Sequence, residues 1–224
     1  MSYIGKTPTP APLTSSDITD GIVSNSKLAQ DIISAETELA TAPADTDELL
    51  ISDAGVLKRI DASLIGGGGI TEADSWRITA SYTSGSGSTT SFLTSNWERT
   101  DTFGFGQIGT GMTESSGIFS FPTTGVYFIK FNTSASATDG ARDYIGAQIR
   151  TTTDNSNYNL AVLSYLSASA GNYYASPTVD FIFDVTNIST HKVKFGVQDP
   201  NPVGYEGDTN IDKTCVRFIR LGDT

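Results

Sequence analysis

The side chains able to do chemistry in this sequence are few, and their spacing says more than their number. His191 is the only histidine and Cys215 the only cysteine. His191 lies in Ser189-Thr190-His191-Lys192, which reads as a turn ahead of a strand. No Ser/Asp grouping beside it would make a nucleophile, base and orienting acid, so it is expected to be a surface histidine. Cys215 opens a strand-like run and is expected to be a small core residue, since a nucleophilic thiol needs a base nearby. One cysteine forms no intrachain disulfide, and one Cys with one His cannot complete a zinc site.

The carboxylates Asp139, Asp143, Asp154, Asp199, Glu206, Asp208 and Asp212 are scattered through loop-like stretches. None falls in the EF-hand pattern of alternating Asp/Asn, a central Gly and a closing Glu. The run from Asp199 to Asp208 has oxygen donors for calcium, but a solvated loop is the expected reading. No other cofactor is expected. Phe103-Gly104-Phe105-Gly106-Gln107-Ile108-Gly109 has close glycines but no Lys-Ser/Thr and no following helix, so it is not a phosphate loop. Its glycines are expected to make a bend or let backbones pass closely. Tyr173-Tyr174, between Gly171 and Ser176-Pro177, is a loop aromatic pair, and Trp97 stands alone. Exposed aromatics stack on sugars and peptides, so Tyr173, Tyr174 and Trp97 are candidate receptor contacts, with core or subunit packing as the alternative.

Composition narrows the function further. Across 224 residues, 14 Lys and Arg face 25 Asp and Glu, a net charge of -11. That balance speaks against gripping nucleic acid or an anionic bilayer. No apolar run approaches the roughly 20 residues that span a membrane, so no insertion is expected. Residues 1–12, MSYIGKTPTPAP, lack the basic and apolar regions of a secretion signal. An enzyme is not expected.

The elements that would position these groups divide at Gly66-Gly67-Gly68-Gly69. Only Tyr3 of the 22 aromatics precedes that run. Residues 1–65 carry 4 basic and 10 acidic side chains, net -6, and the remainder carries 10 and 15, net -5. Aromatics bury the most area per residue, so the folded core is placed after the glycines. The organisation expected is an arm over 1–65, a glycine hinge over 66–70 and a folded head over 71–224. Within the arm, Leu28 and Ile32 share a face of a short helix over 24–33. Residues 48–60 read as a β-hairpin turning at Asp53-Ala54-Gly55. Such an arm buries too little to fold alone and is expected to order in an assembly.

The head alternates strands and turns. Period-two patterns occur in Trp76/Ile78/Ala80/Tyr82, Ile145/Ala147/Ile149, Val179/Phe181/Phe183/Val185 and Val193/Phe195/Val197. Strand-like runs also span 126–131, 160–166 and 215–221, and Asp154-Asn155-Ser156-Asn157 makes a turn. Eight to ten short strands without a helical stripe imply an all-β sandwich, jelly roll or barrel.

The stretch Ser116-Gly117-Ile118-Phe119-Ser120-Phe121-Pro122-Thr123-Thr124-Gly125-Val126-Tyr127-Phe128-Ile129 resembles the signature of the complement/tumour-necrosis-factor jelly rolls, and Thr214 to Leu221 occupies the place of that family's closing strand. The resemblance covers residues 74–222 and implies a jelly-roll β-sandwich that packs as a homotrimer. Residues themselves support the central turn: Pro122 presets it, and Tyr127, Ile129 and Phe131 share one strand face.

Residues 1–65 resemble the leaders of fibre and accessory virion proteins of marine bacteriophages. The resemblance is carried by Tyr3-Ile4-Gly5-Lys6, by Thr19-Asp20-Gly21-Ile22-Val23-Ser24-Asn25-Ser26-Lys27-Leu28-Ala29 and by Leu49 to Asp61. It implies a virion anchor and stalk, with Tyr3, Ile4, Leu28 and Ile32 as candidate anchor residues and other virion proteins as partners. The expected protein is a trimeric tail fibre, or a capsid-head fibre or decoration protein. It would be assembled in the host bacterial cytoplasm, with a head that contacts a host surface glycan or protein. A non-viral bacterial binding module and a purely structural virion component remain as alternatives.

Overall fold

The computed structural model describes residues 14–18, 39–65 and 69–224, apart from residues 42, 45, 86, 88, 138–141 and 169–172. The chain divides into two units, Met1–Gly67 and Gly68–Thr224. The expected helix over 24–33 and the candidate anchors Tyr3, Ile4, Leu28 and Ile32 lie outside the described residues.

In the first unit, strands β1 (Glu48–Asp53) and β2 (Val56–Asp61) pair as the expected antiparallel hairpin. Asp53 pairs with Val56, so the loop is two residues, Ala54 and Gly55, rather than three. Their φ angles of 50° and 84° are both positive, as a tight hairpin matched to strand twist requires. Lys58 pairs with Asp53 and Arg59 with Glu48. Both pairs are exposed and contribute little. Among the described residues Leu49, Leu50, Ile51 and Val56 are also exposed, since two strands by themselves offer no second layer to bury them.

The second unit is built from β3 (Ala73–Ile78), β4 (Tyr82–Thr83), β5 (Thr90–Phe92), β6 (Trp97–Arg99), β7 (Thr113–Ser115), β8 (Ile118–Ser120), β9 (Gly125–Asn132), β10 (Ala135–Ala137) and β11 (Arg142–Thr152). After these come β12 (Asn159–Ala168), β13 (Tyr173–Ala175), β14 (Thr178–Val185), β15 (Lys192–Gln198), β16 (Gly204–Tyr205) and β17 (Cys215–Gly222). Two antiparallel sheets form the layers. One runs β14-β9-β17-β3-β6; the other runs β12-β11-β15-β8-β7, with β5 continuing the β8 side of β15. From β8 onward the chain passes back and forth between the sheets, so strands distant in sequence become neighbours, as β14, β9 and β17 do. This winding is the jelly roll expected for the head. A small sheet, β13-β10-β16-β4, adds two- and three-residue strands too short to show a period in the sequence.

The core lies between the two large sheets. Tyr127, Ile129 and Phe131 from β9 face Ile145, Ala147 and Ile149 from β11 and Val193, Phe195 and Val197 from β15. Phe119 is the hub, with the rings of Trp76, Trp97, Phe195 and Phe218 at 5.2–5.5 Å. Three of these four contacts are edge-to-face, an arrangement the ring quadrupole favours. In β14 the expected inward face is buried at Val179, Phe183 and Val185, while Asp180, Ile182 and Asp184 point away.

Candidate interaction surfaces

The outward face of the five-stranded sheet has two halves. On the β3 side, alternation puts Ser75 and Arg77 opposite the core, where polar residues are expected to meet water. Instead the 100–105 and 208–212 segments fold over them, and Arg77 is fully buried. Its Nη2 donates to Glu98 Oε2 at 3.1 Å and to Asp101 Oδ1 at 2.6 Å, and its Nη1 donates to Thr102 Oγ1 at 3.0 Å. Asp212 Oδ1 stands 3.7 Å from Nη1. Three carboxylates around one guanidinium satisfy a charge that could not otherwise be taken from water.

On the core side of the same strand, Asp74 is buried too. It accepts hydrogen bonds from Arg99 Nε at 3.0 Å, Trp76 Nε1 at 2.8 Å and the Met112 amide at 2.7 Å. Neither cluster was visible in the sequence, because its members come from separate strands and loops with no fixed spacing. Beside the covering loops is a cleft of about 600 Å³, walled by Phe103, Phe105, Ile211 and Ile219 with the Asp212–Arg217 pair at its edge.

The other half of this face is only partly covered. In register, Ile182 of β14, Phe128 of β9 and Ile219 of β17 form one apolar row across three strands. The next row is charged, running Asp180, Lys130 and Arg217. Ile182 is 59% exposed.

The sequence-derived candidates fall at separate places. Trp97 is half-buried against Phe119 and Phe195, and its indole N–H donates to the Leu93 carbonyl at 2.8 Å. Tyr174, in β13 of the small sheet, is largely exposed. The side chain of Tyr173 lies outside the described residues. His191, expected at the surface, is instead buried. It stacks on Phe183 with ring centres 5.6 Å apart, and its ring nitrogens lie 3.2 Å from the hydroxyls of Thr186 and Thr190. Cys215 is buried as expected, and burial pushes its thiol pKa up.

The run from Asp199 to Asp208 is not the solvated loop the sequence suggests. Asp199 is fully buried, accepting from Ser84 Oγ at 2.8 Å and Tyr205 OH at 3.2 Å. Glu206 pairs with Lys213 at 3.4 Å, and Asp208 accepts from the amides of Asn210 and Ile211. These carboxylates therefore serve separate partners, and among the described residues no group of three or more His, Cys, Asp or Glu converges as a metal site. Asp154 closes its turn by accepting from Asn157 and Ser156 and from the Thr152 hydroxyl, and these bonds hold its carboxyl well below the usual carboxylate range. Among the described residues no helix is long and apolar enough to cross a membrane.

No protein-family model matches the chain, and no curated protein sequence does. Similar solved structures include murine APRIL at pH 5.0, with 11% identity and a TM-score of 0.49 over 67% of this chain and 98% of that one. Murine APRIL at pH 8.0 gives 13% identity and a TM-score of 0.48 over the same shares. Eiger TNF from S. frugiperda gives 11% and 0.47, over 68% of this chain and 93% of that one. The jelly-roll assignment rests on this chain's own strand order.

Proposed function

We propose that this protein is a non-enzymatic, homotrimeric recognition component of a bacteriophage virion. Residues 71–224 form the head that self-associates and meets the host surface, and residues 1–65 are the arm that holds it to the particle. The observation that carries the assembly reading is the apolar row Ile182–Phe128–Ile219, with Ile182 exposed at its edge. It spans three strands beside a row of both charge signs, so copies packed round a threefold axis can bury it and match opposite charges on neighbouring subunits. The virion reading is supported by the three leader-like stretches before Asp61. The non-enzymatic reading is supported by the burial of His191 against Phe183 and of Cys215 within β17, which leaves neither placed to attack a substrate. Three heads on one stalk, repeated around a particle, would turn weak contacts into avidity.

Light scattering tests the assembly. The full chain is expected at three times 23.7 kDa, and the Ile182→Asp variant at the monomer mass with its thermal unfolding little changed. A monomeric parent chain would overturn the reading. For the arm, particles made with residues 1–65 deleted should lack the protein, and normal incorporation would refute the attachment role.

A further inference from the structure

The outward face of the other sheet carries a different constellation. Arg150 of β11 and Lys194 of β15 are direct cross-strand partners. Two adjacent cations repel unless an anion lies between them, yet the salt bridges of the second unit go to other cations: Arg77, Arg99, Lys213, Arg217 and Arg220. Among the described residues neither Arg150 nor Lys194 has an acidic partner, in a chain whose net charge is -11. What surrounds them is aromatic and neutral. Lys194 Nζ lies 4.0 Å from the ring centre of Phe92 and 4.3 Å from that of Tyr158. Arg150 Nε donates to Gln148 Oε1 at 2.8 Å. Burial, and then the charge of Arg150, pull the ammonium pKa of Lys194 down. The hydroxyl of Tyr158 is buried with no hydrogen-bond partner, which in folded proteins commonly marks a missing ligand or water.

The floor of this face is shaped for flat rings. At Gly196 a methyl group would come within 3.1 Å of the Phe92 ring, and at Gly146 within 2.8 Å of the Tyr165 ring. Side chains at those two positions would lift both rings off the sheet. Tyr165 is 46% exposed, meets Tyr144 edge-on at 4.8 Å, and donates from its hydroxyl to Gln198 Oε1 at 3.2 Å.

We propose that this face binds an acidic saccharide: one sugar ring lies on the exposed Tyr165, and the carboxylate of a neighbouring sugar takes the place of the missing anion beside Arg150 and Lys194. Flat aromatics match the apolar face of a sugar ring, and paired cations match a carboxylate. The site lies on the sheet opposite the proposed self-association row, so a trimer would present three copies outward.

The inference rests on the head being a recognition module. Its test is titration of the full chain with tetragalacturonate and, separately, with its uncharged methyl ester. The acid is expected to bind and the ester to bind at least tenfold more weakly, since a hydrogen bond to a charged group is worth about 1.5–3 kcal/mol. Lys194→Gln and Tyr165→Ala should each lose at least tenfold, and Lys213→Gln, on the other sheet's side, should not. Should Lys194→Gln fail to fold, Tyr165→Ala and the salt dependence of parent-chain binding carry the test. Equal binding of acid and ester, or no binding of the acid, overturns the proposal. The solution mass of the same sample separates the two readings: a trimer that does not bind refutes only the saccharide site, and a monomer that binds refutes only the assembly.

Discussion

Arg77 offers a measurable test of how the five-stranded sheet is covered. Replacing it with Met keeps most of the stem's volume and removes the charge. Breaking a buried ion pair by deleting one partner costs about 3–5 kcal/mol when the other is left buried and alone. Here the partners are unequal: the side chains of Glu98, Asp101 and Asp212 are 35%, 65% and 20% exposed. Asp101 sits mostly in water and loses little. Asp212 keeps Arg217 at 3.2 Å and the Thr100 hydroxyl at 3.0 Å.

Glu98 loses both its guanidinium contacts but is a third exposed and can turn to water. No carboxylate is then fully stranded, so the expected loss is about 2–3 kcal/mol, below the range for a stranded charge. At about 2–4 °C per kcal/mol, the melting temperature should fall by roughly 5–10 °C. Urea unfolding followed by tryptophan fluorescence at pH 7 measures the free-energy loss, and thermal unfolding the fall in melting temperature. A loss under about 1 kcal/mol at pH 7 would refute the charge argument, because it would lie within the range of an ordinary surface pair.

Two further outcomes follow from groups whose titration the fold alters. Cys215 should resist iodoacetamide at pH 8 in the native protein and take up one equivalent in urea, because burial raises its thiol pKa and blocks access; rapid native labelling, read by intact mass, would contradict the packing of β17. Asp154 has its folded pKa depressed by its turn hydrogen bonds, so its contribution is present above the ordinary carboxylate pKa of about 4 and is lost as pH falls below it. The parent chain should therefore be more stable than Asp154→Asn at pH 7, and the two should converge in acid; parallel pH curves would refute the assignment.

The strands that alternate strictly were readable because one of their faces is buried and the other is not. Val193, Phe195 and Val197 show it, as do Tyr127, Ile129 and Phe131. The errors share one cause. Burial of a polar residue depends on loops that arrive from far along the chain, which no local pattern shows. Arg77 is covered by segments near 101 and 212, and Asp199 is held by Ser84, 115 positions away. His191 is buried by a stack on Phe183, a contact made across a turn rather than along a strand. The cation pair Arg150–Lys194 was missed for a related reason, since it exists only through the register of β11 and β15.

The place of β17 in its sheet has a consequence for synthesis. It lies between β9 and β3, yet at Cys215–Gly222 it is the last of the described strands to be made. Until those residues leave the ribosome the sheet has a gap at its centre, with β3 waiting for its neighbour across the whole head. The head is thus expected to close only once β17 has left the ribosome. Because Ala73 pairs with Ile219, it closes at the same end where it was begun.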